Sequence, residues 1–158
     1  MRSYQVFASM SPELAVSVMS EIAKESPQAY KQALLATSAS MNARPVYIQK
    51  LPFDKQVAAV RRTLSRVAAN GVAEEILAVY FLECRVELLT EWLDLLGLKH
   101  EDGILEADSP PAPEKAALQK ARDTFCKAGD DADRALLLRA FAAQSAIDWP
   151  DLEALLDG

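Results

Sequence analysis

Residues 71–97 read GVAEEILAVYFLECRVELLTEWLDLLG, with no proline and no glycine between the two ends. Turning 100° per residue, Leu77, Phe81, Cys84, Leu88, Trp92 and Leu95 share one face. Val79, Leu82, Val86, Leu89 and Leu93 take much of the other side, and the remaining arc holds Glu83, Glu87, Glu91 and Asp94. The spacing predicts one long helix over 72–97, bounded by Asn70-Gly71 ahead and by Gly97 behind. A helix that is apolar on two sides has to be covered from several directions, by its own chain or by a second subunit. The acidic strip is where it is expected to meet water.

The flanking sequence reads as material that packs on this rod. Ser11-Pro12-Glu13 and Ser26-Pro27 are helix starts, since a serine oxygen can accept from free amides and proline suits the first turn. Their apolar stripes run through Leu14, Ala15, Val18, Met19 and Ile22, then through Tyr30, Ala33, Leu34, Thr37 and Met41. Two short amphipathic helices with a tight connection predict an antiparallel hairpin. Ahead of them, Tyr4, Val6 and Phe7 are expected to tack a short lead-in onto the core. Arg44-Pro45 opens the segment PVYIQKL, rich enough in large apolar groups to be a helical turn wedged into the core. Asp54 then caps a helix with Val57, Val60, Leu64 and Val67 facing inward.

Beyond the rod, Asp102-Gly103 between Leu98 and Ile104-Leu105 signals a tiny β-ribbon near 98–105. Ser109-Pro110-Pro111 and Pro113 read as a stiff, exposed linker. Three Ala-rich helices follow, opened at Pro113-Glu114, at Asp130-Asp131-Ala132-Asp133 and at Asp148-Trp149-Pro150. The expected fold is all-α: an irregular multi-helix bundle around one long central helix. Its N-terminal core spans 1–108, and a C-terminal helical subdomain over 109–158 docks on it within one compact domain.

A chain of 158 residues buries roughly 70% of its unfolded surface. Hydrophobic residues at 51%, charged residues at 25% and only five glycines fit a folded helical protein and argue against disorder. Cys84 and Cys126 belong to no close pair, which reads as free buried thiols in a reducing compartment. The segment MRSYQVFASMSPEL has no apolar run of signal-peptide length, and no window approaches the roughly 18 uncharged apolar residues of a membrane span. The expected location is cytoplasmic, with no membrane partner.

Charge is unevenly distributed. Residues 44–66 hold Arg44, Lys50, Lys55, Arg61, Arg62 and Arg66 against the single acid Asp54, a net of +5. The other residues carry 11 bases and 22 acids, a net of −11. Such a patch is ordinarily a solvated face, or pairs with the acidic strip of the next helix. Its functional reading is a docking surface for an acidic protein segment. Nucleic-acid recognition wants a larger basic footprint with stacking aromatics, and the overall charge of −6 disfavours it.

Arg85 lies among Phe81, Leu82, Leu88 and Leu89 at helical spacing, so it needs a carboxylate partner, a route to water, or an acid across an interface. The strip Glu83, Glu87, Glu91 and Asp94 lacks the Glu-x-x-His companions of a di-iron bundle, and His100 is the sole histidine. The aspartates at 130, 131 and 133 lack the glycine and terminal glutamate of an EF-hand loop. No Walker loop, GxGxxG or GxSxG occurs. No catalytic, cofactor or metal residue is assigned. The expected function is a non-enzymatic interaction or regulatory protein that binds a protein partner or itself, dimerising through the apolar side of the rod. Its candidate interaction surface comprises Arg44, Lys50, Lys55, Arg62, Arg66, Arg85 and Trp92, although Trp92 and Trp149 also suit core anchors. The alternatives are an enzyme with an unrecognised carboxylate site and a nucleic-acid-associated protein using 44–66.

Overall fold

A computed structural model describes residues 1–129 and 131–157. Asp130, read as part of the acidic run that opens a helix, lies outside the described residues. Among those described, ten α-helices and one two-stranded ribbon occur, so the fold is all-α. The helices are α1 (Ser3–Ser9), α2 (Pro12–Glu25), α3 (Pro27–Met41), α4 (Pro45–Gln49), α5 (Phe53–Leu64), α6 (Asn70–Val79), α7 (Val86–Leu96), α8 (Lys115–Lys127), α9 (Ala132–Ala143) and α10 (Pro150–Asp157). Strands β1 (His100–Glu101) and β2 (Ile104–Leu105) pair antiparallel, His100 opposite Leu105 and Glu101 opposite Ile104.

The helix starts follow their local chemistry. Ser11 Oγ accepts from the Leu14 amide at 3.1 Å, and Pro12, Pro27 and Pro45 occupy first turns. The lead-in is itself helical, burying Val6 and Phe7. Gly97 closes α7 in the left-handed region (φ 70°), with its own amide and that of Leu98 donating back to Asp94 and Leu93.

The expected rod is not one helix. It breaks between α6 and α7 into a π-helical turn, Tyr80–Cys84, where the Arg85 amide donates to Tyr80 O five residues back at 3.1 Å. Arg85 then leaves helical geometry altogether (φ −139°, ψ 42°) before α7 begins. The break corrects the register that 100° spacing had projected from one end to the other. It also divides the acidic strip: Glu91 pairs with Arg134 of α9, Asp94 bonds His100 at 2.7 Å, and Glu83 and Glu87 stay exposed.

Most of both apolar sides of this broken rod is covered by the chain's own helices, with Leu95 left exposed. Ala73, Ile76, Leu77, Tyr80 and Phe81 are buried against the N-terminal helices and α9. Leu89, Trp92 and Leu93 are buried where α7 meets α8. The C-terminal half closes through aromatic rings: Trp92 lies 5.4 Å from Phe125 and 6.0 Å from Phe141, and Phe141 lies 5.3 Å from Trp149. Each such ring removes roughly 200 Å² from water, about 5 kcal/mol before entropy is counted. Core residues from α1 to α10 form one continuous cluster. The segment read as an exposed linker is pinned by this cluster, since Pro110 is buried and its carbonyl accepts from Trp149 Nε1 at 3.0 Å.

Candidate functional site

The α4–α5 segment carries the basic residues singled out above. In α4 only Ile48 is buried; Val46 (55% exposed) and Tyr47 (58%) point outward, correcting the expectation that this turn is wedged inward. Ile48 and Leu51 suffice to seat the turn, and Gln56 fixes it by donating to Gln49 O at 3.0 Å and Leu51 O at 2.9 Å. The outward face of α4 is bracketed by Arg44 at its start and Lys50 at its end, both exposed. Phe53 stacks on Tyr30 (5.9 Å), whose hydroxyl donates to Gln56 Oε1 at 2.7 Å. Burial pushes the Tyr30 phenol up to about 12.

On α5, Val57, Val60 and Leu64 face the core, leaving Lys55 and Arg62 exposed one helical repeat apart. They line a groove of about 530 Å³ between α2 and α5, together with Arg61 and Asp54. Its apolar lining is mostly small, contributed by Ala8, Pro12, Ala15, Val16, Val57 and Ala58. Arg61 donates through Nη2 to Ala8 O at 3.3 Å, while its buried Nε–H finds no acceptor among the described residues.

Arg66 does not continue this row. The helix ends at Leu64, where Ser65 Oγ donates to Arg61 O, and Arg66 adopts extended geometry with Nη1 donating to Ser40 Oγ of α3 at 3.3 Å. Val67, expected to face inward, is exposed for the same reason. Among the described residues no carboxylate lies within 4.0 Å of Arg44, Lys50, Lys55, Arg62 or Arg66. Of the two ordinary explanations of such a face, pairing with the neighbouring acidic strip is not made by these residues, and all five are exposed as a solvated face requires.

Arg85 and Trp92 belong elsewhere. Trp92 is wholly buried, so it is a core anchor and presents no interaction surface; its Nε1–H has no acceptor among the described residues. Arg85 sits at the π-turn, with Nε donating to Asp133 Oδ2 at 3.1 Å and Nη1 to Cys84 O at 2.8 Å. Its guanidinium lies 5.4 Å from the Tyr80 ring centroid and 3.8 Å from Glu21 Oε2. Tyr80 also donates to Asp133, at 2.9 Å. Burial first, and then the Asp133 carboxylate, pushes the Tyr80 phenol up.

This cluster forms one wall of a polar cleft of about 570 Å³ that includes Cys84, Glu87, Glu91, Asp131 and Arg134. The cleft's charges are largely used up within it. Arg134 bonds Glu91 and sits 4.6 Å from the Phe125 ring centroid, and Asp131 caps α9 by accepting from the Arg134 amide. Burial, then Glu21, pushes the Cys84 thiol up. Among the described residues no three histidine, cysteine, aspartate or glutamate side chains converge as metal ligands. Among the described residues no helix is long and apolar enough to cross a membrane.

Tyr47, Val46 and the apolar lining of the α2–α5 groove are features of the basic face that the sequence reading missed. Only the unpaired cations around them signalled that face. No family model matches the chain, and no curated protein or solved structure is similar to it.

Proposed function

We propose that the protein is a non-catalytic interaction module that docks an acidic, partly apolar protein segment in the groove between α2 and α5. The observation that carries this reading is the groove itself, lined by small apolar residues together with three cations, Lys55, Arg61 and Arg62, against the single acid Asp54. It sits in the one basic stretch of an otherwise acidic chain. Specific contacts usually combine apolar and charged groups, and the charges set partner choice and approach rate more than raw affinity. The two free cysteines, of which Cys84 is half-buried and Cys126 exposed where both were expected to be buried, fit a reducing, cytoplasmic setting for such a module.

Fluorescence anisotropy with a labelled acidic amphipathic peptide tests the reading, beside a single-stranded oligonucleotide of equal charge. The peptide is expected to bind the wild type and to weaken about tenfold or more in Lys55→Glu/Arg62→Glu. Raising salt from about 0.05 M to about 0.5 M weakens it as well, because Lys55 and Arg62 are solvent-exposed. Equal binding by wild type and variant would sink the proposal. Tighter binding of the oligonucleotide would transfer the face to nucleic acid.

A further inference from the structure

We infer that the α2–α5 groove is filled by the acidic β-ribbon of a second copy of this chain, a head-to-tail contact that rests on the docking reading above. The ribbon has the complementary build. Glu101, Asp102, Glu106 and Asp108 are all exposed with no base between them, and none pairs with a base among the described residues. In their midst stands Ile104, 64% exposed and the most exposed large apolar side chain among those described. An isoleucine flanked by carboxylates matches a groove whose lining combines small apolar residues with Lys55, Arg61 and Arg62, three cations against the one acid Asp54.

The ribbon is also held ready for binding. Asp102 and Gly103 take left-handed geometry at its tip (φ 50° and 91°). His100 accepts from the Gly103 amide through Nδ1 at 3.2 Å and bonds Asp94 through Nε2. Gly103 is packed beneath Leu82 and Leu89. A projection fixed this way loses little conformational freedom on docking. Within one molecule, no hydrogen bond or ion pair among the described residues joins the ribbon to the groove. The ribbon rests on the π-turn and α7, whereas α1, α2 and α5 build the groove.

Donor and acceptor are different surfaces, so the contact is heterologous and propagates into a ring or an open chain. An eight-residue projection buries less than about 1,200 Å², placing the contact in the weak, transient class with a dissociation constant of about 10–100 μM.

Sedimentation velocity from about 1 μM to about 1 mM at low salt reads the outcome directly. The wild type is expected to show concentration-dependent species larger than a dimer, which salt dissolves. The groove variant Lys55→Gln/Arg62→Gln and the ribbon variant Ile104→Ser/Glu106→Gln should each stay monomeric. Mixed one to one, they should form a heterodimer and nothing larger, because each keeps one intact surface. All four positions are exposed, and a circular dichroism spectrum matching wild type confirms the fold of each variant. A wild type monomeric at about 1 mM while the acidic peptide still binds the groove would overturn self-docking and leave the docking reading standing. Loss of peptide binding as well would overturn both.

Discussion

Removing Arg85 tests how the broken rod is held. The side chain spans three pieces at once: it caps the free Cys84 carbonyl at the π-turn, pairs with Asp133 of α9 and covers the Tyr80 ring. Hydrogen bonds to charged groups contribute about 1.5–3 kcal/mol when partly buried. The Arg85 and Asp133 side chains are 31% and 25% exposed, so solvent screening takes the estimate to the lower end. Arg85→Ala should therefore cost about 2 kcal/mol, and Asp133→Ala about the same, since it strips the Tyr80 hydroxyl of its acceptor. At this chain length that is a fall in Tm of about 4–8 °C for each variant. In urea melts followed by circular dichroism, the double variant should lose less than the sum of the singles, with a coupling of about 1 kcal/mol. Strict additivity within about 0.3 kcal/mol would refute the view that the pair acts as one clamp on the π-turn.

Other expectations follow from single positions. Gly103→Ala should destabilise by about 1–3 kcal/mol, because its φ of 91° disfavours a side chain and the new Cβ would meet Leu89 Cδ2 at 2.9 Å; a Tm unchanged from wild type contradicts the ribbon packing. Ile48→Ala should cost about 2–4 kcal/mol in chemical denaturation, whereas Tyr47→Ala stays within about 0.5 kcal/mol, since only the first anchors α4. Tyr30 is neutral in the fold and its phenol is raised to about 12, so the unfolded chain ionises first. The stability it contributes is complete below about pH 10 and is lost as pH rises toward about 12. Tyr30→Phe should flatten that alkaline decline, and an unchanged slope would count against the burial of its ring.

The parts of this fold that were legible in advance are those encoded locally. Ser11-Pro12, Ser26-Pro27, Arg44-Pro45, Gly97 and Asp102-Gly103 mark ends and turns through backbone chemistry that needs no distant partner. The π-turn had no such mark. Nothing in AVYFLECRVE interrupts a helical pattern, and the break is held by Asp133, far along the chain. The orientation of α4 was hidden for a related reason. Three large apolar residues in PVYIQ suggest burial, yet a five-residue turn has one inner position, which Ile48 takes. The basic face was legible as charge but not as shape: a net of +5 gives no hint that Ala15, Val16 and Ala58 line a groove beside it. Arg66 departed from the projected row because α5 stops at Leu64, short of the Val67 to which its apolar pattern ran.

The aromatic chain Phe125–Trp92–Phe141–Trp149 gives the molecule an internal optical reporter of only one half. Both tryptophans are buried among α7 to α10, and α1 to α6 contain none. Intrinsic fluorescence therefore watches the C-terminal helices dock, while far-ultraviolet circular dichroism sums over every helix. Coincident melting by the two signals would mean that 1–108 and 109–158 unfold as one unit, and a red shift in emission that precedes loss of ellipticity would mean that the C-terminal helices lift away first.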